Sequence, residues 1–485
     1  MALRFLSRAV PTLALGAVSC GLASHDATSS ALPTDGLGSF GPFQPIELCR
    51  GTARVVAPSQ ATGAGAAVCV PEGSKAKSCS ADSQCEGIER CTCGRCIVRA
   101  CQGASSCGEG EVCRAKRCTH PCTVDASCPA GERCISGGCA RPCSNDAGCH
   151  FGEQCDALDG ACVSRLCSAS IKCGVGDACE PEEAIGEAHE PEVVSFENGS
   201  LAFLEILDGV APSRRAIYRI LIDAPDRWTA DPPEPVLADD AAGGVGAPSA
   251  LVAADLVELY FEAGGGASIG HAVSKDGGKS FTRDPVPVLV PTEAWEAGRV
   301  TSPAAFVFGG ATYIAYEGGA RAGIGLARVG PSGAERVGSG PIATPATFED
   351  PLFWRGITQV GSPYAIVTPS EPSEGTGAAP APRDGGVVRI YLTVRGAEGS
   401  DAMTADGPIP ADRNDSIGLL TTTDLGSFDR FPAGPVFARV VNLRGYLGER
   451  EPAVRLLEAG AELTFVATDP SGTEVIGLAR AGAAP

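Results

Sequence analysis

Pro303-Ala304-Ala305-Phe306-Val307, then Ala311-Thr312-Tyr313-Ile314-Ala315-Tyr316, then Gly323-Ile324-Gly325-Leu326-Ala327 is the stretch on which the fold turns. Each run has the length and the aliphatic and aromatic content of a β-strand, and glycine turns separate the runs. The same order lies upstream, where Pro248 opens Ser249-Ala250-Leu251-Val252, followed by Leu256–Phe261 and Ser268–Val273. Both copies place Ile-Gly 21 residues after the proline. A proline opening an apolar strand recurs at Pro191, Pro248, Pro303, Pro363 and Pro452, at separations of 57, 55, 60 and 89 residues. In the last unit Ile476-Gly477 follows Pro452 by 24 residues; in the fourth, Ile417-Gly418 falls later, and residues 369–386 and 396–415 read as inserted loops. Five repeats of three or four strands bury their edges best by closing into a ring. The reading is an all-β chain with a five-bladed β-propeller over residues 191–485.

Outward from the repeats, the bulk composition agrees. The chain has 485 residues, 63 Gly, 37 Pro and 5% aromatics, which favours many turns and short strands over long helices. The formal charge of -20 argues against a nucleic-acid partner, because phosphate binding needs clustered Lys and Arg and none is present.

All 23 cysteines lie at or before Cys179. From Cys79 they repeat about every 21 residues as C-x5-C-x5-C with a fourth cysteine four to six residues on. The copies are Cys79, Cys85, Cys91 and Cys96; Cys101, Cys107, Cys113 and Cys118; Cys122, Cys128, Cys134 and Cys139; Cys143, Cys149, Cys155 and Cys162; and Cys167, Cys173 and Cys179. Asp82, Asp125 and Asp146 recur before the second cysteine. Modules this short bury too little apolar surface to fold unaided, so disulfides must replace the core, each contributing about 2–4 kcal/mol. Zinc is the competing reading of Cys91-Thr92-Cys93-Gly94-Arg95-Cys96, but the five-residue spacing is wide and regular, and an exported chain sits where disulfides persist. The spacing resembles the cysteine-rich repeats of Dickkopf-type N-terminal modules and of many bacterial surface proteins. Cys93 is an extra cysteine in the first copy, the last copy stops at three, and Cys49 and Cys69 stand outside and are expected to pair with each other. Connectivity stays open.

The first residues read as an export signal. Arg4 and Arg8 precede an apolar run from Ala9 to Val18, too short to cross a bilayer as a mature helix. Ala17-Val18-Ser19-Cys20 resembles a bacterial lipobox, which implies lipidation of Cys20 and an anchor at the cell surface or outer membrane; ordinary signal-peptidase cleavage near Ser19 implies secretion instead. Setting Cys20 aside leaves 22 cysteines, an even number. The expected organisation is a signal peptide over 1–19, an Ala/Gly/Ser/Pro-rich spacer over 20–78, the disulfide array over 79–179, an acidic connection over 180–190 and the propeller beyond.

The propeller segment resembles the five-bladed domain shared by arabinanases, xylosidases, levansucrases and invertases. Ser274-Lys275-Asp276-Gly277-Gly278-Lys279-Ser280-Phe281 also matches the sialidase-type Asp box, S-x-D-x-G-x-S-F, with a looser echo at Thr423–Phe428. The Asp box marks a fold, since its Asp binds turn N–H groups and its aromatic packs on the sheet. The resemblance implies catalytic carboxylates beside the proline that opens each inner strand. The first blade should offer Asp and has Glu190; the second has the usual Ala247; the third should offer Asp and has Ser302; the fourth should place Glu two residues before Pro363 and has Gly361. Glycoside hydrolysis needs two carboxyl groups across the scissile bond. Glu190 is therefore one candidate, and Glu451, before Pro452, the best second, with Glu192, Glu317, Glu349, Asp350 and Glu449 as further nearby carboxylates. Sialidase chemistry would need an Arg cluster, and Arg219, Arg299, Arg355 and Arg444 sit in no motif that gathers them. Trp228, Trp295 and Trp354 are candidates to stack on sugar, or to pack between blades.

No HExxH, no paired His and no GxSxG occurs, so neither a zinc hydrolase nor a nucleophile-elbow hydrolase is encoded, and no metal or cofactor is expected. The implied partner is a carbohydrate or an extracellular protein, with membrane contact only through a lipid at Cys20 and the oligomeric state open. A binding protein with a degraded catalytic axis and a divergent glycosidase both fit.

Overall fold

The computed structural model describes most of residues 30–482; 1–29, 32–38, 57–67, 72–76, 99–110, 166–176, 350–355, 370–385, 397–402, 409–414, 432–446 and several segments of a few residues lie outside the described residues. Cys20, Cys101, Cys107, Cys167, Cys173, Asp350, Trp354, Arg355 and Arg444 therefore lie outside them. Among the described residues no helix is long and apolar enough to cross a membrane.

The cysteine-free part is a five-bladed β-propeller, as the repeats predict. The second, third and fourth blades are antiparallel four-stranded sheets whose inner strands are Val245–Ala253, Val300–Phe308 and Ile357–Thr368. Inner strands Glu183–Phe196 and Leu447–Leu457 open the first and fifth blades. Neighbouring blades bury apolar side chains against each other. Phe203 and Ile217 meet Val245 and Phe261, Tyr260 meets Val300 and Tyr316, and Phe306 meets Val360 and Ile390. One further cluster joins Tyr391 and Leu419 of the fourth blade, Phe465 of the fifth and Leu204 and Tyr218 of the first, which closes the ring. The recurring Ile-Gly is explained here: a Cβ on Gly270 or Gly325 would overlap the ring of Phe261 or Tyr316 on the adjacent strand.

The stretch read as a spacer supplies strands to the ring. Ser39–Phe40 and Gln44–Pro45 pair antiparallel with Glu474–Gly482, the outer strand of the fifth blade. Glu47–Arg50 and Ala53–Val56 then pair with Arg227–Ala230 and with Glu183–Ile185 of the first blade. The segment before the array thus bridges the last blade to the first. The two cysteines expected to pair lie in different sheets: Cys49 is beside Thr229 and Arg54, and Cys69 is opposite Cys179.

The array is disulfide-bonded, which settles its connectivity where it is described. The bridges are Cys79–Cys91 and Cys85–Cys96, Cys122–Cys134 and Cys128–Cys139, and Cys143–Cys155 and Cys149–Cys162, so the first cysteine joins the third and the second joins the fourth. Cys113, Cys118 and the extra Cys93 are also disulfide-bonded. The third and fourth cysteines face each other across a hairpin in every described copy, as Cys134 faces Cys139. The recurring aspartate ties that hairpin to the start of its module. Asp125 Oδ1 accepts from the N–H of Cys134 at 2.9 Å, and Asp146 Oδ1 from that of Cys155 at 2.8 Å. Arg117 is fully buried and reaches Glu153 at 2.9 Å, locking the second copy to the fourth. This many disulfides mark a chain of an oxidising, extracytoplasmic compartment.

Candidate functional site at the propeller axis

Each inner strand breaks its register at the residue before its proline. The breaks fall between His189 and Glu192, Gly246 and Ser249, Thr301 and Ala304, Gly361 and Tyr364, and Arg450 and Ala453. The bulged residues Glu190, Ala247, Ser302, Ser362 and Glu451 all hold left-handed backbone, with φ of 45°, 43°, 43°, 44° and 54°. Non-glycine residues rarely adopt that region, and a bulge re-aims the side chain it carries. Five strained bulges, one per blade, gather their side chains where the blades converge.

Glu190 is the centre of that gathering. Ser302 Oγ donates to Glu190 Oε1 at 2.9 Å and Ser362 Oγ donates to the same oxygen at 3.1 Å. The Glu190 N–H donates to Glu451 Oε2 at 2.9 Å. The structure thus brings together the two carboxylates singled out from the sequence. The same backbone donor is satisfied from the preceding blade elsewhere: Ala247 N–H by Glu205 Oε2 at 3.0 Å, Ser362 N–H by Glu317 Oε2 at 3.1 Å, and Glu451 N–H by Thr393 Oγ1 at 2.9 Å.

Glu205, Glu262, Glu317 and Thr393 are one structural position, each opposite the residue before a bulge. The fifth blade has Val466 there, and Glu451 supplies the missing acceptor. Glu205 and Glu262 are absent from the candidates drawn from the sequence, yet their signal is present in it: Glu205, Glu262 and Glu317 each follow the blade's proline by 14 residues. Glu317 also explains Gly361, since a Cβ there would collide with its Oε2. The fourth-blade Glu expected two residues before Pro363 is therefore absent, and a carboxylate from the third blade occupies the place where its side chain would begin.

Electrostatics separate Glu190 from its neighbours. Burial, reinforced by the carboxylates of Glu451 and Glu205, pushes its pKa up to about 8, against the Ser302 hydrogen bond. Glu190 as a residue is partly buried, whereas Glu451 is only 6% exposed. Burial alone would raise Glu451 too, but His189 and Arg450 hold it below the ordinary carboxylate range. Arg450 Nε lies 3.2 Å from Glu451 Oε1, and His189 Nδ1 lies 3.6 Å from Glu451 Oε2 and 3.2 Å from Glu474 Oε2. Burial would lower His189, but Glu187, Glu451 and Glu474 outweigh it and raise its pKa well above the usual value. Donor atoms of Glu187, His189 and Glu474 come within 4.8 Å of one another, a spacing a cation could bridge. A charged His189 and Arg450 already supply that positive charge.

Other carboxylates are engaged. Arg215 grips Glu205 at 2.6 and 2.7 Å and also binds Glu262. Glu192, pushed by burial to about 8, accepts from the Ala250 N–H, and Glu349 accepts from Gly356 and Ile357. Arg321, itself left-handed at φ 59°, differs: its Nε lies 3.9 Å from Glu317 Oε2 and its Nη1 is buried without a hydrogen-bond partner. Its backbone O accepts from Val360 N–H and its side chain lies against Gly361, beside the axial serines.

The remaining candidates fall elsewhere. Trp228 is 1% exposed within the core shared by the first, fourth and fifth blades, so its indole has no free face for a sugar. Trp295 is partly exposed and stacks on Tyr316 at 5.9 Å. Asp276 accepts from Ser280 N–H at 3.0 Å, Lys279 N–H at 3.1 Å and the Ser280 hydroxyl at 2.6 Å, the turn-holding role expected of it, while Phe281 packs edge-on against Phe203 at 5.8 Å.

No protein-family model matches the chain, and no curated protein does. Solved structures do. The chain is similar to a thermostable family-43 glycoside hydrolase at 14% identity over 61% of this chain and 90% of the other, with a TM-score of 0.41. It is also similar to an exo-1,5-alpha-L-arabinanase from a bovine ruminal metagenomic library (12% identity, 60% and 92% covered, TM-score 0.40) and to the alpha-L-arabinanase of Cellvibrio cellulosa (12%, 60% and 90%, TM-score 0.40).

Proposed function

We propose that this is an exported, surface-displayed binding protein whose propeller recognises a glycan at its axis without cleaving it. The observation that carries this reading is the commitment of the second carboxylate. Glu451 is buried, its Oε2 fixes the Glu190 backbone and its Oε1 is paired with Arg450, so both of its oxygens are already committed within the protein. Glycoside hydrolysis needs two carboxyl groups free to face the scissile bond. What the axis offers instead is a set of hydrogen-bonding groups: the Glu190 carboxyl and the Ser302 and Ser362 hydroxyls, with the Arg321 side chain, whose buried Nη1 has no hydrogen-bond partner, packed against Gly361 beside them. Such convergent polar groups suit sugar hydroxyls or a sugar carboxylate. Lipidation of Cys20 belongs to the same proposal and would anchor the protein at the cell surface.

A glycan array probed with the intact chain tests the reading. Binding is expected, and Arg321→Ala should weaken it roughly tenfold or more, the worth of a charged hydrogen bond. An array with no bound glycan, or an Arg321→Ala variant that binds as well as the parent, would reject an axial binding site.

One observation favours a second reading, a divergent hydrolase. Glu190 raised to about 8 beside Glu451 held low is the separation of pKa values that an acid and its partner base require. That reading stands or falls on product formation.

A further inference from the structure

The described copies of the array share a rule. Third and fourth cysteines are direct antiparallel partners: Cys91 with Cys96, Cys113 with Cys118, Cys134 with Cys139 and Cys155 with Cys162. Yet facing cysteines are not bonded to each other where the bridges are described. The third joins the first cysteine of its copy and the fourth joins the second. The fifth copy has Cys167, Cys173 and Cys179 and no fourth cysteine after them. Its third, Cys179, nevertheless has a facing cysteine in an antiparallel pair of four residues on each side, and that cysteine is Cys69.

We infer that Cys69 is the fourth cysteine of the fifth module, supplied from upstream of the array, and that it bonds Cys173 while Cys167 bonds Cys179. The module is a circular permutation of its neighbours: the strand that should follow the third cysteine comes from the chain that enters the array. Each bridge forms by exchange of two thiols with an external protein disulfide, which accepts two electrons and two protons and leaves as the dithiol.

The assignment also resolves the remaining cysteines. Five modules of four account for twenty, and Cys93, which is disulfide-bonded, stands outside the four-cysteine pattern. With Cys69 used, Cys49 is the partner left for it, and Cys20 alone stays unpaired among the 23. One contact brings the two segments together. Arg227 donates from Nη1 to the carbonyl of Cys91 at 3.0 Å, and the strand holding Arg227 pairs with the strand holding Cys49. The array is then not a stalk in front of the propeller. It is an insertion whose entry and exit are joined covalently at its base and whose first module is fastened to the first blade.

The test is disulfide mapping of the intact chain. Free thiols are alkylated, the protein is digested at acid pH without reduction, and linked peptides are sequenced by mass spectrometry. The inference requires Cys69 linked to Cys173, Cys167 to Cys179 and Cys49 to Cys93. Cys69 linked to Cys49, or alkylated as a free thiol, overturns it. A Cys173→Ser variant adds an independent reading: one new thiol per chain should be labelled, on the peptide carrying Cys69, and a label on any other cysteine contradicts the assignment. Should that variant not be secreted, the parent protein's map still decides.

Discussion

Glu190 concentrates the chemistry of single residues in this chain. Its folded pKa of about 8 lies above that of an unfolded Glu, as does that of Glu192. Both groups therefore favour the fold fully below about pH 4.5, and that contribution is lost as pH rises toward about 8, because the unfolded chain ionises first. Thermal denaturation should show the propeller losing stability between about pH 5 and 8, and Glu190→Gln should flatten part of that fall; an unchanged slope would place Glu190 in solvent. Glu451 works in the opposite sense, its stabilisation being lost toward strongly acid pH. Gly361 is a second decisive residue. Gly361→Ala should cost about 1–3 kcal/mol in urea unfolding through overpacking against Glu317, and Glu317→Ala should recover part of it in the double variant. The sequence pointed to Glu190 and Glu451 because each precedes a blade-opening proline. It did not show that Glu451 is spent on a backbone N–H, because hydrogen bonding across the ring closure joins residues 261 apart.

At the scale of elements, what was legible followed from local periodicity. Strand lengths, Gly turns and the Ile-Gly recurrence marked the blades because each reflects packing within one sheet. The Asp of the cysteine modules was visible as a recurrence, but its role in holding the N–H of the third cysteine, nine residues on, needed the structure. Asp146→Ala should remove about 1 kcal/mol from its module. The change is best read as faster reduction of Cys143–Cys155 by a mild thiol, with the Cys122–Cys134 bridge as the internal control. The segment over 39–56 was not read as strand, although Phe40, Ile46, Leu48, Val55 and Val56 suit one, because its strands are only two to four residues long and their partners lie at residues 183–185, 227–230 and 474–482. Deleting residues up to 45 should bare the edge of Glu474–Gly482, lowering the melting temperature and promoting aggregation, which light scattering would detect. A truncated chain that melts and scatters like the parent would show that the added strands contribute nothing.

The whole molecule is a ring closed twice, once by apolar packing of the fifth blade on the first and once by the segment that spans both blades before the array begins. Five-blade count and the division into cysteine-rich and cysteine-free halves were readable from spacing alone, since both repeat. The order of assembly was not, because an insertion between two pieces of one sheet reads along the chain as a separate domain. Within this frame the axis is a rigid floor built from five bulges. Its carboxylates hold backbone donors and arginines in place, and Glu190, pushed by burial to about 8, is the one among Glu190, Glu205, Glu262, Glu317 and Glu451 that is not fully buried. The measurement that bears most directly on that claim is product analysis. Glycans retained on the array are incubated with the intact protein over hours at about pH 5 to 8, and released sugars are quantified by mass spectrometry. The account predicts bound glycan recovered uncut at every pH, in the parent and in Glu190→Gln alike; sugar released by the parent and not by Glu190→Gln would make this propeller an enzyme and contradict it.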